Sequence, residues 1–159
     1  MKPVEYRRLT KLELPQIKTL WGELNKIHSV DSVHFKEHYN TFSFEKRSEA
    51  WLKLPDNNFQ LLVAEAEGST LVGYCVSTFD TNLKGEIDSL FVDPAFRQQG
   101  IGRTLMEKSM DWLQNNQCSP IRLTVSYGHE SVLVFYQRLG FYPRLTALEW
   151  KNTNNKEKI

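Results

Sequence analysis

The run Arg97-Gln98-Gln99-Gly100-Ile101-Gly102-Arg103 carries the strongest chemical signal in this chain. It follows an apolar, strand-like stretch from Glu86 to Val92 and the turn Asp93-Pro94, and it opens a helix-patterned stretch from Ile101 to Gln114. The first backbone N–H groups of a helix have no partner inside it, and the aligned peptide dipoles add partial positive charge there. A strand, a glycine turn and a helix start together therefore make an anion site. Gly100 and Gly102 let the backbone approach a phosphate closely, and Arg97 and Arg103 add full charges, so the turn suits a pyrophosphate. A nucleoside-triphosphate loop needs G-x-x-x-x-G-K-S/T, and no Gly-Lys-Ser/Thr occurs here. A three-glycine dinucleotide fingerprint also fails, because Leu105 stands where the third glycine belongs.

What remains is R-x-x-G-x-G after a strand ending in Val-Asp-Pro. That pattern resembles the acyl-CoA-binding motif of the GNAT-superfamily N-acetyltransferases. A second stretch, His129-Glu-Ser-Val132-Leu-Val-Phe135-Tyr136-Gln-Arg-Leu-Gly140-Phe141, resembles the same family's N-x-x-A-x-x-x-Y signature with its closing Gly-Phe. Tyr136, Gly140 and Phe141 match by type. His129 stands where asparagine is usual and Val132 where alanine is usual, which puts the side-chain contacts near the pantetheine in question. The two signatures cover roughly residues 85 to 142, about a third of the chain.

The resemblance implies acetyl-CoA as cosubstrate. The backbones of Leu90, Phe91 and Val92 would pair with the pantetheine arm as with an added strand. The backbones of Arg97, Gln98, Gln99, Gly100, Ile101, Gly102 and Arg103, with Thr104, would hold the pyrophosphate. Tyr136 would face the thioester sulfur. His129 would either contact the cofactor or cap its own helix.

The chemistry then asks for a base and an acid. An amine with a pKa near 10 is mostly protonated at neutral pH, so a base or a water chain must take its proton. A phenol keeps its proton at pH 7, so Tyr136 can give one to the departing thiolate. Glu86 and Asp88, at i and i+2 on one strand, project from one face. Glu86 occupies the position where the family often places a catalytic or water-holding carboxylate. A pair of solvated strand-end acids explains the same residues equally well. Cys75 and Cys118 lack a nearby His or helix-start signal for an acyl-carrying nucleophile, which favours direct transfer. His28, His34 and His38 include an i, i+4 pair, but no Cys and no H-E-x-x-H pattern accompanies them. No metal is expected, and these histidines are read as lining the acceptor side.

These groups must be positioned by a consistent order of elements. Val4 to Leu9 reads as a strand. Thr10-Lys-Leu-Glu13 forms a capping box before Leu14, Ile17, Leu20, Trp21, Leu24 and Ile27, which recur at helical spacing. The 28–42 segment has no clear period, and Phe44 to Leu54 reads as a second helix. Phe59 to Ala66 and Leu71 to Phe79 read as a hairpin about Glu67-Gly68-Ser69. The strand from Glu86 and the helix from Ile101 follow, then a strand from Ile121 to Ser126 and a helix from His129 to Leu139. A terminal strand pair is expected around Gly140–Pro143 and Leu145–Lys151. This β-α-α-β-β-β-α-β-α-β-β order predicts an α/β (α+β), GNAT-like fold: a mixed, mostly antiparallel sheet flanked by helices. The resemblance adds that the strand at 86–92 carries a bulge and splays from the strand at 121–126.

Composition fits one domain over residues 1–151 followed by a polar tail, 152–159, expected to be disordered. At 159 residues the chain can bury a sizeable core. Its net charge of +1 argues against nonspecific binding to nucleic acid or anionic membranes. Two cysteines make no framework, and no apolar run reaches membrane-span length, so a cytoplasmic, reduced protein is expected. A homodimer is compatible with all of this. Three functions stay open: a small-molecule amine N-acetyltransferase, a transferase acting on a protein N-terminus or lysine, and an idle acyl-CoA sensor. Carboxylates at Glu86, Asp88, Asp80 and Asp31, with no basic cluster evident beside them, favour a cationic acceptor.

Overall fold

A computed structural model describes residues 3–152. The expected tail therefore lies almost wholly outside the described residues. Two strands, β2 (Phe59–Ala66) and β3 (Thr70–Phe79), are rich in β-branched and aromatic residues and sit in the middle of the sheet. They are covered on both faces, which is why their apolar residues run nearly without interruption. β1 (Glu5–Leu9) and β4 (Gly85–Val92) flank them, and β5 (Ile121–Leu123) closes the order β1-β2-β3-β4-β5. All neighbours are antiparallel except β4 and β5, which are parallel. The mixed, mostly antiparallel sheet read from the sequence is the one observed.

Alternation along the central strands splits the core in two. Leu61, Val63, Tyr74 and Val76 pack with Leu14, Ile17, Trp21 and Trp51 on one face. Those partners come from helices α1 (Lys18–Asp31) and α3 (Phe44–Leu52) and the turn before α1. Leu62, Ala64, Val72 and Cys75 pack on the other face with Ile101, Leu105, Met106 and Leu113 of α4 (Ile101–Asn115). The capping box forms, with the Glu13 carboxylate accepting the Thr10 backbone N–H at 2.8 Å. It opens a 3₁₀ segment, Lys11–Ile17, rather than an α-helix, because Pro15 lacks the N–H that an α-helical turn would use.

Four expectations change. The 28–42 segment contains a short helix, α2 (Lys36–Thr41). The strand expected over 121–126 stops at Leu123, since β4 is within reach only up to that residue. The helix expected from His129 is a 3₁₀ turn, Glu130–Val132, leading into α5 (Leu133–Gln137). No terminal strand pair forms: residues 141–152 belong to no helix or strand, and 142–152 are exposed. Strand-like composition does not make a strand without a neighbouring edge to bond. No helix among the described residues is long and apolar enough to cross a membrane.

The feature that shapes the site is a bulge in β4. Val76 of β3 faces Ser89 and Ser77 faces Ile87, so Asp88 is the extra residue. A regular strand would put Ile87 and Phe91 on one face. Instead Ile87 lies in the α4-side core and Phe91 in the α1/α3-side core. The bulge inverts the alternation, and the parallel pairing with β5 ends immediately before it, at Ile87 and Leu123.

Candidate active site

Beyond the bulge, β4 bonds to β3 on one side through Leu90, Phe91 and Val92, while its other edge faces a cleft of about 970 Å³. The cleft runs between this edge and the 124–126 segment that continues β5. Strand backbone with one free edge is what an extended chain needs for pairing. Leu90, Phe91 and Val92, expected from the sequence to pair with a pantetheine arm, line this cleft.

The anion turn closes one end. Gln98 has φ +60° and Gly100 φ +80°, so the chain reverses tightly before α4 begins. Only glycine adopts the latter without strain. The first intrahelical bond is Thr104 N–H to the Gly100 carbonyl at 2.9 Å, which leaves the N–H groups of Ile101, Gly102 and Arg103 at the free start of α4. Gly102 is instructive because its neighbours do not require it. A Cβ there would meet Phe135 at 3.5 Å and Val92 at 3.6 Å, ordinary contacts. Both neighbours border the cleft, so a methyl there would narrow it. Arg97 Nε donates to the Val92 carbonyl at 2.9 Å and its cation lies over the Phe91 ring, so the arginine is braced against the end of β4. Arg103 pairs with Glu107 one turn on. Arg97, Gln98, Gly100, Ile101, Gly102 and Arg103 all border the cleft, whereas Gln99 and Thr104 belong to the same turn without bordering it.

Tyr136 is fixed by the end of its own helix. Phe141 N–H bonds the Tyr136 carbonyl and Gly140 N–H the Gln137 carbonyl, each at 3.0 Å, with Gly140 at φ +88°. This is a Schellman closure, and its apolar contact is Phe141 on the Tyr136 ring. The Gly-Phe ending seen in the sequence is thus the device that orients the tyrosine. Burial raises the phenol above its ordinary pKa, so it is protonated at neutral pH.

Glu86 opens onto the cleft just before the bulge. Partial burial, then the Asp88 carboxylate, push its pKa up, and Arg47 offsets part of this. Asp88 is not a second free acid. Its carboxylate accepts from the Arg47 guanidinium and from Trp51 Nε1, both on α3. The expectation of an unopposed acidic wall is therefore corrected. Arg47 lines the cleft beside Glu86, Asp80 caps its own turn at Asn82 and Lys84, and Asp31 is paired with His129. Arg47 and Trp51 lie at i and i+4 of one helix face, a spacing visible in the sequence, but their target on β4 is not.

Residues 21–141 match the acetyltransferase (GNAT) family. The chain belongs to that family. An uncharacterised N-acetyltransferase from Methanocaldococcus jannaschii is 28% identical over 131 residues, which is 74% of this chain and 57% of that protein. The first curated relatives are matched over 27–65% of their own length, so the chain spans only part of them. The PaiA N-acetyltransferase of Thermoplasma acidophilum, solved with coenzyme A, superposes with a TM-score of 0.74 at 22% identity, covering 91% of this chain and 93% of that one. An aminoglycoside N-acetyltransferase, AAC(6′)-Iy, also solved with CoA, superposes at 0.69 and 18% identity, over 96% and 97% of the two chains. The last two likenesses establish the GNAT fold.

The α1–α2 side of this cleft is bridged to the loop after β5. Tyr39 of α2 donates to Ser126 Oγ at 2.9 Å, and His129 Nδ1 lies 2.7 Å from Asp31 Oδ2 at the end of α1. Gly128, at φ +100°, lets the loop sit against α1, where a Cβ would lie 2.0 Å from the Asp31 carbonyl. His129 thus borders the cleft but takes its partner from α1. His28 packs edge-on against it at 5.4 Å between ring centroids, and burial, then His129, bring the His28 pKa down to about 4. His34 stacks on Tyr127 and His38 on Phe42, so the i, i+4 pair does not converge. Cys75 and Cys118 are free and buried, and burial pushes the Cys75 thiol up to about 11, which suits packing rather than nucleophilic attack.

Proposed function

We propose that this GNAT-family protein transfers an acetyl group from acetyl-CoA to a primary amine of a small molecule by direct attack. The observation that carries the reading is a single cleft joining the anion turn, the free edge of β4, Tyr136 and Glu86. The chain's residues suit the cosubstrate. The start of α4 with Arg97 and Arg103 matches a pyrophosphate, and the exposed β4 edge matches the amide-bearing pantetheine arm.

Glu86, its carboxylate made more basic by its surroundings, accepts the proton of the incoming ammonium directly or through one water. The freed nitrogen forms the C–N bond to the thioester carbonyl carbon, and the C–S bond breaks. Tyr136 gives its proton to the departing sulfur, the acylated nitrogen loses its second proton to the phenolate directly or through water, and Glu86 passes the first to solvent, so the products are the amide, the free thiol and one proton. The bridges from Tyr39 to Ser126 and from Asp31 to His129 favour a compact acceptor over a polypeptide laid along an open groove.

The test is thiol release from acetyl-CoA against panels of amines and of peptides. Thiol release with small amines, abolished in Gly102→Asp and lowered 10²–10⁴-fold in Tyr136→Phe, is the expected result. Turnover confined to peptides would assign the protein-directed reaction instead. Binding without turnover on either panel would assign the sensor.

A further inference from the structure

Given the transfer reaction proposed above, on which this rests, we infer that the acceptor is an arylalkylamine. Its aromatic ring lies against a wall of five side-chain rings on α1 and α2, and its ammonium group lies beside Glu86. In that reaction the start of α4 and the free edge of β4 are taken by the cosubstrate. The lining that remains comes largely from α1, α2 and Arg47 of α3, with Glu86 at the start of β4.

Trp21 and His28 are seven positions apart on α1, two turns, and so share a face. His38 and Tyr39 belong to α2, and Phe42 is its C-terminal cap. All of these border the cleft. Their rings form an unbroken series: Trp21 to Phe42 at 6.1 Å between centroids, Phe42 to His38 at 5.5 Å, His38 to Tyr39 at 5.1 Å and Tyr39 to His28 at 5.5 Å. Interplanar angles along it run from 16° to 80°, so the wall offers both ring faces and ring edges. An aromatic guest packs on such a surface offset or edge-on, with a quadrupole that an aliphatic or hydroxylated body lacks. Trp21 is buried, but Tyr39 and Phe42 are half-buried and His38 is exposed, so the series is not closed into the core.

The polar groups on this side are already committed. Asn25 Nδ2 donates to the Tyr39 carbonyl at 2.7 Å, the Tyr39 hydroxyl donates to Ser126, and His129 pairs with Asp31. Arg47 is held by Asp88 and lies over the Trp51 ring, 4.8 Å from its centroid. His28, its pKa brought down to about 4, is an uncharged ring at neutral pH. A polyol or polycation would leave hydroxyls and charges unpaired against such a wall, and each unpaired polar group taken from water costs free energy. Among the described residues, Glu86 and Asp88 are the carboxylates that border the cleft, and Asp88 is neutralised by Arg47. One open carboxylate calls for one ammonium. An alkylamine, with a pKa of about 10, carries that charge at pH 7, whereas an amine attached directly to a ring does not.

Thiol release from acetyl-CoA with phenethylamine, cyclohexylethylamine, ethanolamine and spermidine tests this, alongside saturation-transfer NMR of the same amines on the CoA-loaded protein. The kcat/KM for phenethylamine should exceed that for ethanolamine at least about tenfold, the effect of burying a ring-sized apolar group. Phe42→Leu keeps apolar bulk and removes a ring, so it should raise KM for phenethylamine by about three- to tenfold more than KM for cyclohexylethylamine. An equal rise in both overturns the aromatic assignment, and so does ethanolamine or spermidine turned over as fast as phenethylamine. Either result leaves acetyl transfer standing. Without thiol release from any amine the transfer reaction fails, and the NMR decides the ring site on its own. Saturation of the phenyl protons that fades in Phe42→Leu supports the site. Saturation that is absent in the wild type, or unchanged in the variant, overturns it.

Discussion

The imidazole of His129 lies 2.7 Å from the carboxylate of Asp31, and this contact ties the wall of the cleft to the loop after β5 across 98 positions of sequence. A part-buried, charge-assisted bond of this kind contributes about 1–3 kcal/mol. Asp31→Ala and His129→Ala should each lower the melting temperature and raise the acceptor KM. CoA affinity should change little, because the α4 turn is untouched. A double-mutant cycle read by denaturant unfolding should show coupling of at least about 0.5 kcal/mol. Strict additivity would remove the bridge from the account.

His28 beside this pair gives stability an acid dependence. The folded protein keeps the ring neutral down to about pH 4, against an ordinary value of 6.5. Between those values the unfolded chain binds a proton that the folded chain refuses, so stability rises with pH there. The contribution is complete above about pH 6.5 and shrinks as pH falls toward 4, by about 1–2 kcal/mol after allowing for screening of a partly exposed ring. Urea unfolding of wild type and His28→Gln across that window checks it. The variant should show the flatter acid limb, and parallel limbs would count against the assignment.

As the proposed base, Glu86 should set the acid limb of activity. Its raised pKa places the rise of kcat/KM above the ordinary carboxylate range. Glu86→Gln should lower kcat by 10²–10⁴-fold, leave CoA affinity intact and abolish that limb. Arg47 opposes the shift, so Arg47→Met should move the limb to higher pH. A limb that stays in place in Arg47→Met would separate the titrating group from Glu86.

Gly102→Ala should dissociate folding from binding. The added methyl meets only ordinary contacts, and alanine is the better helix residue by up to about 1 kcal/mol. The unliganded variant should melt at or above wild type, while its CoA dissociation constant rises at least tenfold by titration calorimetry. Equal loss of stability and affinity would mean that the glycine serves packing.

What could be read from the sequence was mostly local. The strand, turn and helix around Gly100, and the Gly-Phe closure behind Tyr136, depend on residues within a few positions of each other, and they were legible. Asp88 was misread as a free acid because Arg47 and Trp51 reach it from a helix some forty residues earlier, and no period encodes that contact. Residues 124–126 and 144–150 have strand chemistry, yet a strand is a relationship between two backbones, and neither stretch has its neighbour within the described chain. α2 was missed because its six residues are too few to establish a period.

The extra residue at Asp88 also bears on how this sheet could be altered. With even register from Gly85 to Val92, β4 could follow β5 along its whole length, every amide on that edge would be spoken for, and nothing could slide between the two strands. Deleting that one position would make a tidier, more closed sheet and still leave Phe91 on its present face. Regularity and an entrance for substrate are here mutually exclusive uses of the same backbone. A redesign that scores only hydrogen bonds and packing would favour erasing the door.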